Sequence, residues 1–183
     1  MTKFEEQIRS GVLAAGAEYR NLSGGGWLSH APESYLSTKL GQELGKYYCV
    51  YFDTSFKRVL ADAIKKPGKM PGGLSQRSDL SIWYKSKDEV LAAIEVKRAY
   101  NVGPVLEDCA KLEKIVALKK GPSLGYVVAY SEAKPRPGRQ TLERRFERWA
   151  SESGWSLISA HVELEKSSDG WTWGFCILRN PKK

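Results

Sequence analysis

The chain has 183 residues, 42% of them apolar, and a formal charge of +8 from 29 Lys and Arg against 21 Asp and Glu. That length and apolar content suit one α/β domain able to bury its own core, and the basic balance favours a polyanionic partner. Cys49, Cys109 and Cys176, widely spaced and with only His30 and His161 as nitrogen ligands, argue against a disulfide framework and a zinc site, while the absence of a membrane-length apolar run or a secretory N-terminal pattern points to a cytoplasmic protein with buried, reduced thiols.

Phe4, Ile8, Val12, Leu13 and Ala15 recur at helical spacing and predict an amphipathic helix over about residues 3–19, packed on the core or on a second subunit. The glycines of Asn21 to Trp27 then break the chain; no Lys-Ser or Lys-Thr pair follows them, so they are not a phosphate-binding P-loop. Pro32 and Glu33 open a second helix whose stripe is Leu36, Leu40 and Leu44, with the Glu33 carboxylate on the inward side. Tyr47 to Phe52 reads as the first strand of the sheet. A short helix from Phe56 to Lys65 leads into a basic loop, Lys66 to Gly73, in which Lys69 could meet a phosphate backbone.

Arg77 to Tyr84 and Val90 to Lys97 read as a β-hairpin joined by the polar run Lys85 to Glu89. A helix from Val105 to Lys120 follows, with Leu106, Cys109, Leu112, Ile115, Val116 and Leu118 inward and Lys111 and Lys114 on its flank. Leu124 to Tyr130 is apolar enough for a central strand covered on both faces. Glu132-Ala133-Lys134 runs into Pro135 and reads as a surface loop. Arg136, Arg139, Arg144, Arg145 and Arg148 then gather positive charge on a loop and a helix; Glu143 and Glu147 offer helical partners, whereas Arg136 and Arg139 in the loop have none. Ser156 to Leu164 and Trp171 to Leu178 form a closing hairpin, with Trp171 and Trp173 on one face as a stacking platform or as packing over a sheet edge.

The first hairpin carries the chemistry. Side chains alternate along a strand, so Asp79, Ser81 and Trp83 share one face, and Leu91, Ala93, Glu95 and Lys97 share one face of the second strand. If Tyr84 faces Val90, counting back along both strands sets Asp79 opposite Glu95. Two facing carboxylates repel unless one is protonated or a cation intervenes. Oxygen ligands alone suit Mg²⁺, with Mn²⁺ as a substitute, better than Zn²⁺. Lys97 could orient a water, help deprotonate it, or stabilise charge developing on a phosphate.

Asp79 followed by Glu95-Val96-Lys97, on a hairpin preceded by a helix and followed by a helix and a strand, resembles the PD-(D/E)xK nuclease superfamily, although Ser78 stands where the usual Pro would precede the Asp. The resemblance covers roughly residues 32–130. It implies an α/β fold with a restriction-endonuclease-like core, a mixed central β-sheet flanked by helices. The whole chain would then be one nuclease-like domain, with residues 1–22 as an N-terminal helical extension and 131–183 as a C-terminal helix and hairpin. It further implies metal held by Asp79, Glu95 and the Val96 carbonyl, with Glu33 completing the site and Glu43 as the fallback. Lys97 would serve the attacking water, Ser81 and Gln76 would support the site, and Lys69, Lys111, Arg136 and Arg139 are the candidates for nucleic-acid contact. The implied activity is Mg²⁺-dependent phosphodiester hydrolysis, of DNA ahead of RNA, by a monomer or a homodimer. The alternatives are a binding or assembly module that keeps the fold without catalysis, and an ordinary Glu95–Lys97 surface ion pair.

Overall fold

The structure, a computed structural model, describes residues 1–55, 77–85, 89–118, 121–134, 138–163 and 171–181. The expected helix from Phe56 to Lys65, the loop carrying Lys69, Gln76, Arg136 and the turn at 167–170 lie outside the described residues.

Thr2 starts the first helix, α1 (Lys3–Leu22), through a reciprocal cap: its hydroxyl accepts the Glu5 N–H and the Glu5 carboxylate accepts the Thr2 N–H, satisfying two donors that the helix itself leaves open. Phe4, Ile8, Val12 and Ala15 are buried against the sheet, so the apolar face considered for a second subunit is used within the chain. A 3-10 turn (Leu28–His30) leads to Pro32, the N-cap of α2 (Glu33–Gly45), whose Leu36, Leu40 and Leu44 are fully buried. The two helices meet at Gly11, where an added Cβ would lie 2.9 Å from the Leu40 side chain.

Six strands follow: β1 (Cys49–Ser55), β2 (Arg77–Trp83), β3 (Val90–Arg98), β4 (Leu124–Ala133), β5 (Ser156–Val162) and β6 (Thr172–Arg179), in the spatial order β1-β2-β3-β4-β6-β5. β3 and β4 are parallel and the other pairs are antiparallel. A parallel pair needs a crossover, supplied by α3 (Gly103–Val116); α4 (Gly138–Ser153) connects β4 to β5. Among the described residues the result is an α/β fold, a mixed six-stranded sheet flanked by four α-helices. Tyr126, Val128 and Tyr130 join the core under α1 and α2, whereas Val127 and Ala129 join the core under α3 and α4. No helix among the described residues is long and apolar enough to cross a membrane.

Several expectations change. The closing hairpin exists, but β6 lies between β4 and β5, so Trp173 is buried and stacked on Phe175 under α1 rather than offered as a platform. The buried stripe of α3 runs through Val105, Asp108, Cys109, Leu112 and Ile115, with Leu106 only partly covered. Cys49 is exposed on the edge strand; Cys109 and Cys176 are buried, and burial pushes the Cys109 thiol up to about 12 and the Cys176 thiol higher still. All three thiols are free.

Candidate active site

The hairpin register decides what meets at the site. Leu80 pairs with Ile94, Ser81 with Ala93 and Ile82 with Ala92, after which a bulge sets Trp83, not Tyr84, opposite Val90. Leu91 is the extra residue, and it turns into the α1/α2 core beside Ala92 instead of sharing a face with Ala93. Beyond the bulge the register is the expected one. Asp79 and Glu95 come together at its far end, near enough that the Asp79 charge acts directly on Glu95.

Asp79 is held by the partner strand, its Oδ2 accepting the Val96 N–H at 2.7 Å. The Val96 N–H is thus committed to Asp79. Glu95 is 3% exposed, and its Oε2 lies 2.8 Å from Lys111 Nζ while Oε1 is buried with no hydrogen bond. Lys111, expected on a phosphate, instead reaches inward from α3. Lys97 Nζ stands 3.4 Å from Glu33 Oε2 and 3.7 Å from Asp108 Oδ2. Glu33 Oε1 accepts the Arg98 N–H at 2.7 Å, which ties the start of α2 to the end of β3. The fallback acid, Glu43, is at the other end of α2 and pairs with Lys46. Ser81, expected to support Asp79, shares a 2.8 Å hydrogen bond with buried Ser78.

Asp108 is the member that sequence reasoning missed. It occupies a buried position of α3 and its Oδ2 makes no hydrogen bond. Its signal was available in the spacing of Val105, Asp108, Leu112 and Ile115, which defines a helical stripe with an acid inside it.

Burial raises the carboxyl pKa of Asp79, opposed by the Val96 N–H and by Lys111 and Lys97. Glu95 is pushed up to about 8 by burial and then by the Asp79 charge, against the pull of Lys111. Asp108 is raised by burial as well, with Lys97 and Lys111 opposing. Burial works against the charge on Lys97, yet Asp108 and Glu33 outweigh it and its pKa stands above the usual lysine value. The site therefore holds Lys97 as an ammonium, suited to stabilising negative charge and not to removing a proton. Among the described residues no three His, Cys, Asp or Glu side chains are gathered as a ready cation cage.

No family model, curated protein or solved structure matches the chain.

A second polar cluster adjoins it at the ends of β3 and β4. Glu132 belongs to β4 and not to a surface loop. Its carboxylate accepts the Ser29 hydroxyl and the Tyr100 hydroxyl at 2.8 Å each, with His30 Nε2 at 3.4 Å and Arg98 Nη2 at 3.9 Å. Arg145 reaches the Ser131 hydroxyl and the Glu132 carbonyl. Arg139, expected unpaired in a loop, lies in the first turn of α4 and pairs with Glu143 at 2.7 Å. Elsewhere, a cleft of about 510 Å³ opens at the start of β3 and β4, lined by Tyr84, Leu91, Leu124 and Asn180, away from the carboxylates.

Proposed function

We propose that this chain is a divalent-metal-dependent nuclease with a restriction-endonuclease-like core, hydrolysing phosphodiester bonds in DNA. The observation that carries the reading is buried Glu95, next to Asp79, with one carboxylate oxygen that has no hydrogen-bond partner among the described residues and Lys97 two residues further along the strand. A buried, unpartnered carboxylate oxygen is costly, and a cation offsets that cost. The donor set fits a hard ion: every candidate ligand is oxygen, and Glu95 Oε1 and Asp108 Oδ2 are both without a hydrogen bond. Mg²⁺ is the expected ion and Mn²⁺ a substitute.

Asp79 and Glu95 would hold the ion, with Glu33 and the Val96 carbonyl beside them. Bound there, it supplies Lewis-acid polarisation of a phosphoryl oxygen and a more acidic water. Lys97 keeps its ammonium through Glu33 and Asp108 and stabilises the charge that grows on the phosphate. Glu33 orients Lys97 with one oxygen and is anchored to the Arg98 N–H with the other. Net positive charge supports a polyanionic substrate, with Lys69, Arg136 and Arg139 as phosphate contacts. Cutting both strands of a duplex would call for a homodimer, one site per strand. The cytoplasm is the proposed compartment.

A second reading is a nucleic-acid-binding or assembly module with a nuclease-like fold. It is favoured by the internal neutralisation of the acids, Lys111 on Glu95 and Lys97 on Glu33 and Asp108. Incubation of supercoiled plasmid, linear duplex, single-stranded DNA and RNA with Mg²⁺, Mn²⁺ or EDTA separates the two. Metal-dependent cleavage supports the nuclease; retention on a gel in EDTA with no cleavage under any metal supports the binding module.

A further inference from the structure

Of the two site lysines, Lys111 is the one that pairs with Glu95, at 2.8 Å, while Lys97 leans toward Glu33 and Asp108. The Lys111–Glu95 partnership is asymmetric. Glu95 is fixed in a strand paired on both sides, with 4% of its side chain exposed. Lys111 projects from α3 on a flexible stem with 24% of its side chain exposed. The lysine can move outward and the glutamate cannot. Glu95 Oε1 is meanwhile buried and bare, and Asp108 Oδ2, one turn earlier on α3, makes no hydrogen bond either.

Taking the metal-centred reading as its premise, we infer that Lys111 is an internal competitor of the divalent cation: it occupies Glu95 when no ion is bound and gives Glu95 up when the ion binds. Like charges a few ångströms apart repel strongly away from bulk water, so ammonium and ion exclude one another at one carboxylate. With all four carboxylates ionised, Glu33, Asp79, Glu95 and Asp108 outnumber Lys97 and Lys111 by two charges, and Lys97 alone by three once Lys111 swings out, so the site stays anionic enough to attract a divalent cation.

This exchange also links metal to substrate. The displaced ammonium emerges beside the site, where a phosphate backbone attracts it. Nucleic acid and metal both favour the released lysine, so each tightens the other's binding, as linkage requires.

The test is Mn²⁺ titration by electron paramagnetic resonance without nucleic acid, at about pH 8 so that protons compete less for the carboxylates. Wild type is compared with Lys111→Met, Lys111→Gln and Lys111→Arg, each checked for folding by circular dichroism. The uncharged variants are expected to bind Mn²⁺ on the order of tenfold more tightly than wild type, with Lys111→Arg close to wild type. Lys111→Gln serves if Lys111→Met does not fold. Unchanged or weaker binding in the uncharged variants, with wild type binding measurably, overturns the competitor role and leaves the nuclease reading intact. No Mn²⁺ bound by any of the four proteins overturns both.

Discussion

Glu33 accepts the backbone N–H of Arg98 at 2.7 Å, so the first residue of α2 is tied to the last residue of β3. The same carboxylate reaches Lys97 with its other oxygen. A helix start, a strand end and the site lysine are thus positioned by one side chain.

Glu33→Gln keeps an oxygen for the Arg98 N–H but removes the negative charge next to Lys97. Its stability should stay within about 1 kcal/mol of wild type, while cleavage falls by about tenfold or more. Urea denaturation and plasmid cleavage, run on the same preparation, check the two halves. Equal loss of both would make Glu33 a structural residue only.

Glu95 makes the metal-free protein sensitive to pH. Its folded pKa is raised to about 8, so between the ordinary glutamate value and about 8 the folded state binds a proton that the unfolded state has released. Its contribution is therefore complete at low pH and is lost as pH rises through about 8, with a slope of up to about 1.4 kcal/mol per pH unit. His161, whose pKa burial lowers, has the opposite slope but only below its usual value near 6.5. In EDTA the melting temperature should fall from about pH 6.5 to 8. Glu95→Gln should flatten that fall, and saturating Mg²⁺ should reduce it. A wild-type profile in EDTA that rises across this window contradicts the assignment.

Asp108→Asn removes the largest of the charges, those of Asp108, Glu33 and Asp79, that favour the Lys97 ammonium. A fall in kcat of about 10- to 100-fold is expected, with the alkaline limb of the kcat–pH profile moved to lower pH. A changed KM with that limb in place would indicate a substrate-binding role instead.

Away from the site, Arg179 Nη1 lies 2.6 Å from the Oε1 of buried Glu5, which also caps α1 and accepts the Tyr126 hydroxyl at 3.3 Å. Arg179→Met would strand that carboxylate inside the α1/β4 interface. A loss of about 3–5 kcal/mol is expected, measured by urea denaturation, and restored in large part by adding Glu5→Gln.

The meeting of Asp79 and Glu95 was legible because strand alternation is a local property and the hairpin register holds through Leu80, Ser81 and Ile82. Trp83, not Tyr84, stands opposite Val90, one residue from the expected pairing. The bulge at Leu91 cancels the error before the acids are reached, and nothing in the apolar run Val90 to Ile94 announces that bulge. Asp108 was hidden because a stripe through Leu106 has nearly the same period as the true one through Val105, and only packing on β4 chooses between them. Glu132 looked solvated because Pro135 follows closely. Its partners come from the 3-10 turn and from beyond β3, 103 and 32 residues distant in the chain. The inward turn of Lys111 was likewise beyond reach, since a flanking lysine is solvated unless a buried acid lies opposite.

The central claim is tested most directly by plasmid nicking in Mg²⁺ with wild type and Glu95→Gln side by side, both confirmed folded by their melting curves. The account predicts nicking by wild type that EDTA abolishes, and none by a Glu95→Gln protein at least as stable as wild type in EDTA near pH 8. Nicking by Glu95→Gln at the wild-type rate, or a wild type inert with both Mg²⁺ and Mn²⁺ on every nucleic acid tried, would contradict it.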